Sequence, residues 1–332
     1  MNFKRFPVLF AFVASVATFT AGIFQAQQSA KVYRVGVLQN RVQGPEFELL
    51  KKELARLGYA EGTNVVFESR FAEGKLDRLP GFAAELVAMN VDVIAAYGGP
   101  PTAAARKATT TIPIVSQLVA DPVAIGAAAT LARPGGNVTG VTNHDPERAT
   151  RQLTILKEVF PSLSRAAFLS DADIPGADAS GFAPIERDNI AAATAMNIRP
   201  QTLKLRGPAP DLVAAFDSIV AEKADVIVVM EVPVSFLARE RIIELATARR
   251  IPTMFWGGVS DAGVLMSYGT SIWETYQRMP LIVDKILKGA KAADTPFEQV
   301  TRQEFIVNLK VARELGVTIR PEVLKRANRV IE

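Results

Sequence analysis

From Val32 onward the chain alternates short apolar runs with stretches in which apolar residues return every three or four positions. "VYRVGVL" is a strand-like run ending in the polar pair Gln39-Asn40, and "PEFELLKKELARLG" repeats with a helical period and closes on Gly58. The alternation continues through "NVVFESR" (strand), "LPGFAAELVAMN" (helix), "VDVIAAY" (strand), "PTAAARKAT" (short helix) and "IPIVSQ" (strand). "DPVAIGAAATLARPGG" opens with Asp121 as an N-cap and Pro122 at the first helical position, which predicts another helix before "NVTGVTN".

The pattern then starts again: "PERATRQLTILKEVFP" (helix), "RAAFLSD" (strand), "IERDNIAAATAMN" (helix), "IRPQTLKL" (strand) and "APDLVAAFDSIVAEK" (helix). "ADVIVVME" (strand), "SFLARERIIELATARR" (helix) and "IPTMFW" (strand) follow. The phrases "VDVIAAYGGP" and "ADVIVVMEVP" are alike, each leading through a helix to an "IPI" or "IPT" strand, as a duplicated unit would. Strands that are apolar throughout, separated by helices, predict parallel sheets covered on both faces. The expected fold class is therefore α/β, with two doubly wound parallel-sheet lobes. A strand over "GVLMSYG", a long helix that Pro280 should kink, the strand "EFIVNL" and short helices complete the chain.

Ahead of this pattern, Lys4 and Arg5 precede an uncharged apolar stretch from Phe6 to Phe24 and then small residues, the layout of a secretory leader. Removal after Ala26 is expected, with an uncleaved anchor as the alternative. Composition adds limits. With 332 residues, 49% hydrophobic and 22% charged, the chain suits two globular domains. Its formal charge of +4 includes the two cations of the leader, and no basic run with interleaved aromatics occurs, so nucleic acid is not an expected partner. The absence of cysteine removes disulfides, thiol chemistry and a lipidated cysteine anchor.

Catalytic patterns are wanting. His144 is the single histidine, no Gly-x-Ser-x-Gly elbow occurs, and "AYGGPP" has neither dinucleotide-fingerprint spacing nor a Gly-Lys-Ser/Thr ending. No catalytic residue, metal ligand or cofactor is therefore assigned. Gly98 and Gly99 instead offer free amides at a helix N-terminus, at the carboxyl edge of a parallel sheet where such folds bind ligands. Alongside Thr102 they form an expected carboxylate seat. The other strand-end residues are Gln39, Asn40, Tyr97, Gln117 and Asp121 from the first half, and Asp171, Glu231 and Trp256 from the second. Asn143 and Tyr268 complete the set. Tyr97, Trp256 and Tyr268 could flank a flat apolar group, and Asp171 or Glu231 could neutralise an ammonium. Each of these also has a plain structural reading as a cap, a turn or a core residue.

The phrases "YRVGVL", "ELARLGYAEGTNVVFESRFAEGKLDRLP", "AAELVAMNVDVI", "ATTTIPIV", "DPVAIG", "LARPGGNVTGVTN", "LMSYG", "VDKILKGAKAADTPFEQ" and "NLKVARELGVTI" run in order over almost the whole chain after the leader. In them the chain resembles the ABC-transporter substrate-binding proteins related to the tryptophan- and tyrosine-binding members, which have the type I periplasmic-binding-protein fold. The resemblance implies three crossings between lobes, near 143–146, 267–270 and 298–301. A leader over 1–26 would be followed by one lobe over 31–143 plus 269–299 and another over 146–267 plus 301–332. It implies a periplasmic, monomeric protein that captures a small solute by hinge closure and delivers it to a membrane permease and its ATPase. A small carboxylate-bearing solute, with aromatic or branched amino acids foremost, is the expected guest. A ligand-presenting periplasmic sensor and an exported enzyme on a doubly wound fold are the alternatives.

Overall fold

The computed structural model describes residues 31–261 and 263–332, so the leader-like segment lies outside the described residues. The first apolar runs become β1 (Tyr33–Gln39), β2 (Val65–Phe71), β3 (Val93–Tyr97), β4 (Ile114–Leu118) and β5 (Val138–Thr142). With the short β11 (Glu298–Gln299) they form one sheet in the order β11-β5-β4-β3-β1-β2, parallel throughout. Every residue of β3, β4 and β5 is buried, as expected of strands covered on both faces.

The pleat sorts their side chains. Val35, Val37, Val93, Ala95, Val115 and Val141 meet Phe47, Leu50 and Leu54 of α1 (Pro45–Arg56) and the apolar face of α9 (Ile272–Leu287). Leu38, Ile94, Ala96, Ile114 and Leu118 point the other way, onto α2 (Leu79–Ala88) and α3 (Gly99–Ala108). Helix α9 runs unbroken through Pro280.

The second sheet contains β6 (Arg165–Asp171), β7 (Arg199–Leu205), β8 (Val226–Val229), β9 (Thr253–Phe255), β10 (Met266–Thr270), β12 (Gln303–Asn308) and β13 (Arg329–Ile331), in the order β13-β12-β10-β9-β8-β6-β7. One core cluster joins it to α4 (Arg148–Val159), α5 (Pro184–Ala195), α6 (Leu212–Ala221), α7 (Pro233–Leu237), α8 (Arg239–Ala248), α10 (Leu309–Leu315) and α11 (Pro321–Leu324). The chain passes between the two sheets after β5, after β10 and after β11. Residues Tyr33–Glu332 nevertheless form one contact unit.

Three local expectations need correction. Residues 121–133 are turns rather than a helix: Asp121 Oδ1 accepts from the Val123 amide at 2.8 Å, and Gly126 takes a φ of 66°, which ends the first turn. The segment 235–250 divides into α7 and α8 at Ala238. Strand β12 lies antiparallel to β10: the chain leaves the second sheet after β10, runs through α9 and β11 of the first, and re-enters beside β10 in the opposite direction.

Gly140 carries a packing demand that can be measured. It pairs with Ser116 across β4 and β5, and a Cβ there would lie 1.9 Å from the Ser116 carbonyl oxygen. A methyl cannot be accommodated without parting the two strands. Gly140→Ala should therefore cost about 3 kcal/mol in chemical denaturation. Gly289→Ala, whose Cβ meets nothing within 4 Å, should cost only about 1 kcal/mol for its φ of 98°. Equal losses in the two variants would contradict this packing.

Candidate functional site

Each sheet reverses its winding once: the order runs outward from β1 and β3 in the first, and from β6 and β8 in the second. Such switch points leave a crevice beyond the strands' carboxyl ends. Residues following these strands wall a single pocket: Asn40 and Arg41 after β1, Gly98 and Gly99 after β3, Ile174 and Pro175 after β6, and Glu231, Val232 and Pro233 after β8. Tyr97 and Gln117 stand level at the strand ends, being register partners in β3 and β4. Phe236 of α7 with Ile272 and Tyr276 of α9 close one side. The pocket holds about 760 Å³ of space free of protein atoms, its mouth included.

The rim is drawn together from both sheets. The Arg41 guanidinium lies 5.0 Å from the centre of the Phe236 ring, a cation–π contact across the crevice. Arg41 also donates to Glu46 Oε1 at 2.8 Å and to the Tyr276 hydroxyl at 3.4 Å. On the other side Gly99 abuts Pro175, which would stand 3.1 Å from any Cβ added there.

Polar groups in the pocket are few. Gln117 is 3% exposed, and its Nε2 has no hydrogen-bond partner among the described residues. Glu231 is 4% exposed; its Oε2 pairs with Arg148 at 3.0 Å, and both oxygens accept from Asn143 Nδ2 at 3.2 Å. Burial pushes its carboxyl from an ordinary 4.5 up to about 7, against the pull of Arg148 and Asn143. Burial likewise raises the Tyr97 and Tyr276 phenols, which keeps both rings neutral.

Of the residues expected at the site, Asn40, Tyr97, Gly98, Gly99, Gln117 and Glu231 line the pocket together. Others stand behind it. Gln39 is buried with its Nε2 on the Glu46 carboxylate, and Asn143 holds Glu231. The Thr102 hydroxyl donates to the Gly98 carbonyl at 2.8 Å and lies 3.1 Å from Ser116 Oγ. Asp171 caps the amides of Asp173 and Val234, both at 2.9 Å. Asp121 caps its own turn.

The expected amide seat is also reduced. Gly98 N donates to the Gln117 carbonyl and Thr102 N to the Gly98 carbonyl, while Pro100 and Pro101 have no N–H. Gly99 N–H alone is left there.

Two aromatic placements differ from expectation. Trp256 packs in the second core, 4.5 Å from Phe236 and 5.5 Å from Phe255 ring to ring, outside this pocket. Tyr268 sits opposite Phe305 on the sheet face, in a separate hollow with Arg151 and Arg326, because it lies in the middle of β10 and not at its carboxyl end. The sequence reading missed Arg41, Phe236 and Tyr276. Tyr276 was visible only as one member of the apolar stripe of α9.

Comparison with known proteins gives the family. A family model described as "ABC transporter substrate binding protein" matches residues 40–331. The chain belongs to that family. This binding protein is 24% identical over 295 residues to a "Tyrosine-binding protein" of Clostridioides difficile, covering 87% of this chain and 82% of the relative. A conserved domain protein from Vibrio cholerae aligns with a TM-score of 0.79 at 25% identity, over 90% of this chain and all of that one. An ABC domain in complex with L-Trp, from a pneumococcal Streptococcus, aligns with a TM-score of 0.77 at 24% identity, over 91% of this chain and all of that one. The fold of the binding protein is the type I periplasmic-binding-protein fold. Among its described residues no helix is long and apolar enough to cross a membrane, and no group of three or more His, Asp or Glu could hold a metal ion.

The raised carboxyl of Glu231 gives the binding protein a pH signature. Between about pH 4.5 and 7 the folded chain keeps a proton that the unfolded chain has released. Its contribution to stability is complete at the acid end of that window and is lost as pH rises through about 7. Glu231→Gln cannot titrate. Thermal melts of both proteins from pH 5 to 8 should show their difference moving in favour of the variant as pH rises. Movement in the other direction would mean that Arg148 outweighs burial.

Proposed function

We propose that the protein is the exported solute-capturing component of an ABC-type importer and that its guest is an aromatic amino acid. The observation that carries this reading is the pocket's composition: the rings of Tyr97, Tyr276 and Phe236 around an otherwise apolar space with very few polar groups. The two sheets with their helices act as lobes, and the three chain passages between them act as hinges about which the lobes close on solute.

A guest ring would lie among the three aromatic side chains, where stacking adds about 0.5–1.5 kcal/mol beyond area burial. The unpartnered Gln117 Nε2 and the Gly99 N–H are the donors for its carboxylate. Glu231 has acceptor capacity left beside Arg148 and Asn143, and is the group for its ammonium. The tyrosine-binding relative from Clostridioides difficile and the pneumococcal domain in complex with L-Trp support the same class of guest.

Calorimetry decides the matter. L-Tyrosine or L-tryptophan should bind with a Kd of about 1 μM or tighter, and L-alanine and ribose should not saturate. Tyr276→Leu, which keeps apolar bulk, and Gln117→Leu, which removes the donor, should each weaken binding about tenfold. Saturation by ribose with none by either aromatic amino acid would reject the reading.

A further inference from the structure

A second pocket lies against the first, with about 720 Å³ of space free of protein atoms, its mouth included. Arg41, Phe236, Ile272 and Tyr276 wall both. The outer pocket adds Glu46, Trp256 and Trp273, and Trp273 is 47% exposed at its lip. Arg41 is the charged member of that shared wall, held against Phe236 at 5.0 Å, Glu46 at 2.8 Å and the Tyr276 hydroxyl at 3.4 Å. Aromatic rings form a continuous path across it. Trp273 meets Tyr276 edge to face at 5.5 Å between ring centres, and Tyr276 meets Tyr97 at 5.8 Å. A half-exposed surface indole is thus linked through two contacts to a buried phenol of the inner site.

We propose that the outer pocket is a second binding site, for the ring of an aromatic amino acid, from which the inner pocket is loaded when Arg41 swings off Phe236. The proposal rests on the aromatic reading of the inner pocket. An indole half in water gains most by covering its open face with another flat ring, and a ring docked on Trp273 lies next to Tyr276. Passage inward then needs only a side-chain rotation of Arg41, since Tyr276 is common to both sites. Such a rotation is fast compared with opening the lobes. The outer site speeds exchange in both directions and leaves the affinity of the inner site untouched.

The protein provides its own reporter. Its two tryptophans, Trp256 and Trp273, both wall the outer pocket, and neither walls the inner one. Stopped-flow mixing with L-tyrosine, exciting only indole, should show a fast phase from occupancy at Trp273 and a slower, saturating phase as solute moves inward. In Trp273→Leu the fast phase should vanish. Association and dissociation, followed through Trp256, should both slow about fivefold, with the calorimetric Kd within about twofold of wild type. Rates unchanged in the variant would overturn the proposal, as would a weaker Kd arising from faster dissociation, which would make Trp273 part of the inner site. Unchanged kinetics beside normal calorimetric uptake removes the outer site alone. No uptake of L-tyrosine or L-tryptophan by wild type removes the aromatic reading and the outer site with it.

Discussion

A carboxylate withdrawn from water organises the centre of this protein. Glu231 follows β8 at the switch point of the second sheet, and its two oxygens are held by Asn143, on the first passage between sheets, and by Arg148, which opens α4. Two stretches remote in sequence, residues 143–148 and the turn after β8, are thereby fixed to each other. Removing one partner of such a buried pair usually costs about 3–5 kcal/mol, because the other charge is left without compensation. The same carboxylate forms part of the pocket wall, so the tie between the sheets and the chemistry offered to a guest are one group.

The pocket's character follows from how the switch points are built. In the first sheet the turn after β3 is Gly98-Gly99-Pro100-Pro101, a sequence that brings backbone close to the opposite side yet removes two amides from the start of α3. A helix N-terminus normally offers several free donors to an anion. Here Gly99 alone offers one, and the unpartnered Gln117 Nε2 is a further donor in the pocket. The opposite wall, Ile174, Pro175, Pro184 and Ile185, is apolar and presents few donors of its own. Such an enclosure favours guests with a large apolar part and a compact polar end.

Much of this could be read in the sequence. The strands β3 and β8 were plain because their apolar runs end sharply at turn residues, and the repeated phrase around them gave the two-fold build. Residues directly at strand ends, such as Asn40, Tyr97, Gln117 and Glu231, line one pocket, since the carboxyl edge of a parallel sheet is where its chain must turn. The failures also have a physical cause. Tyr268 and Trp256 lie near strand ends as well, but which face a side chain takes depends on the pleat and on the neighbouring strand, and neither can be read from one segment. Arg41 and Phe236 acquire their roles only because the two sheets meet. No local pattern marks a contact between residues 195 positions apart. The turn segment after Asp121 misled because an N-cap followed by proline is a good helix start, and Gly126 cancels it.

The account stands on a guest seated between Tyr97, Tyr276 and Phe236. A crystal structure of the protein grown with L-tyrosine tests that most directly. The predicted result is ligand density in the inner pocket, its ring among those three side chains and its carboxylate within hydrogen-bond distance of Gln117 Nε2. Ligand density elsewhere, with this pocket unoccupied, would contradict it.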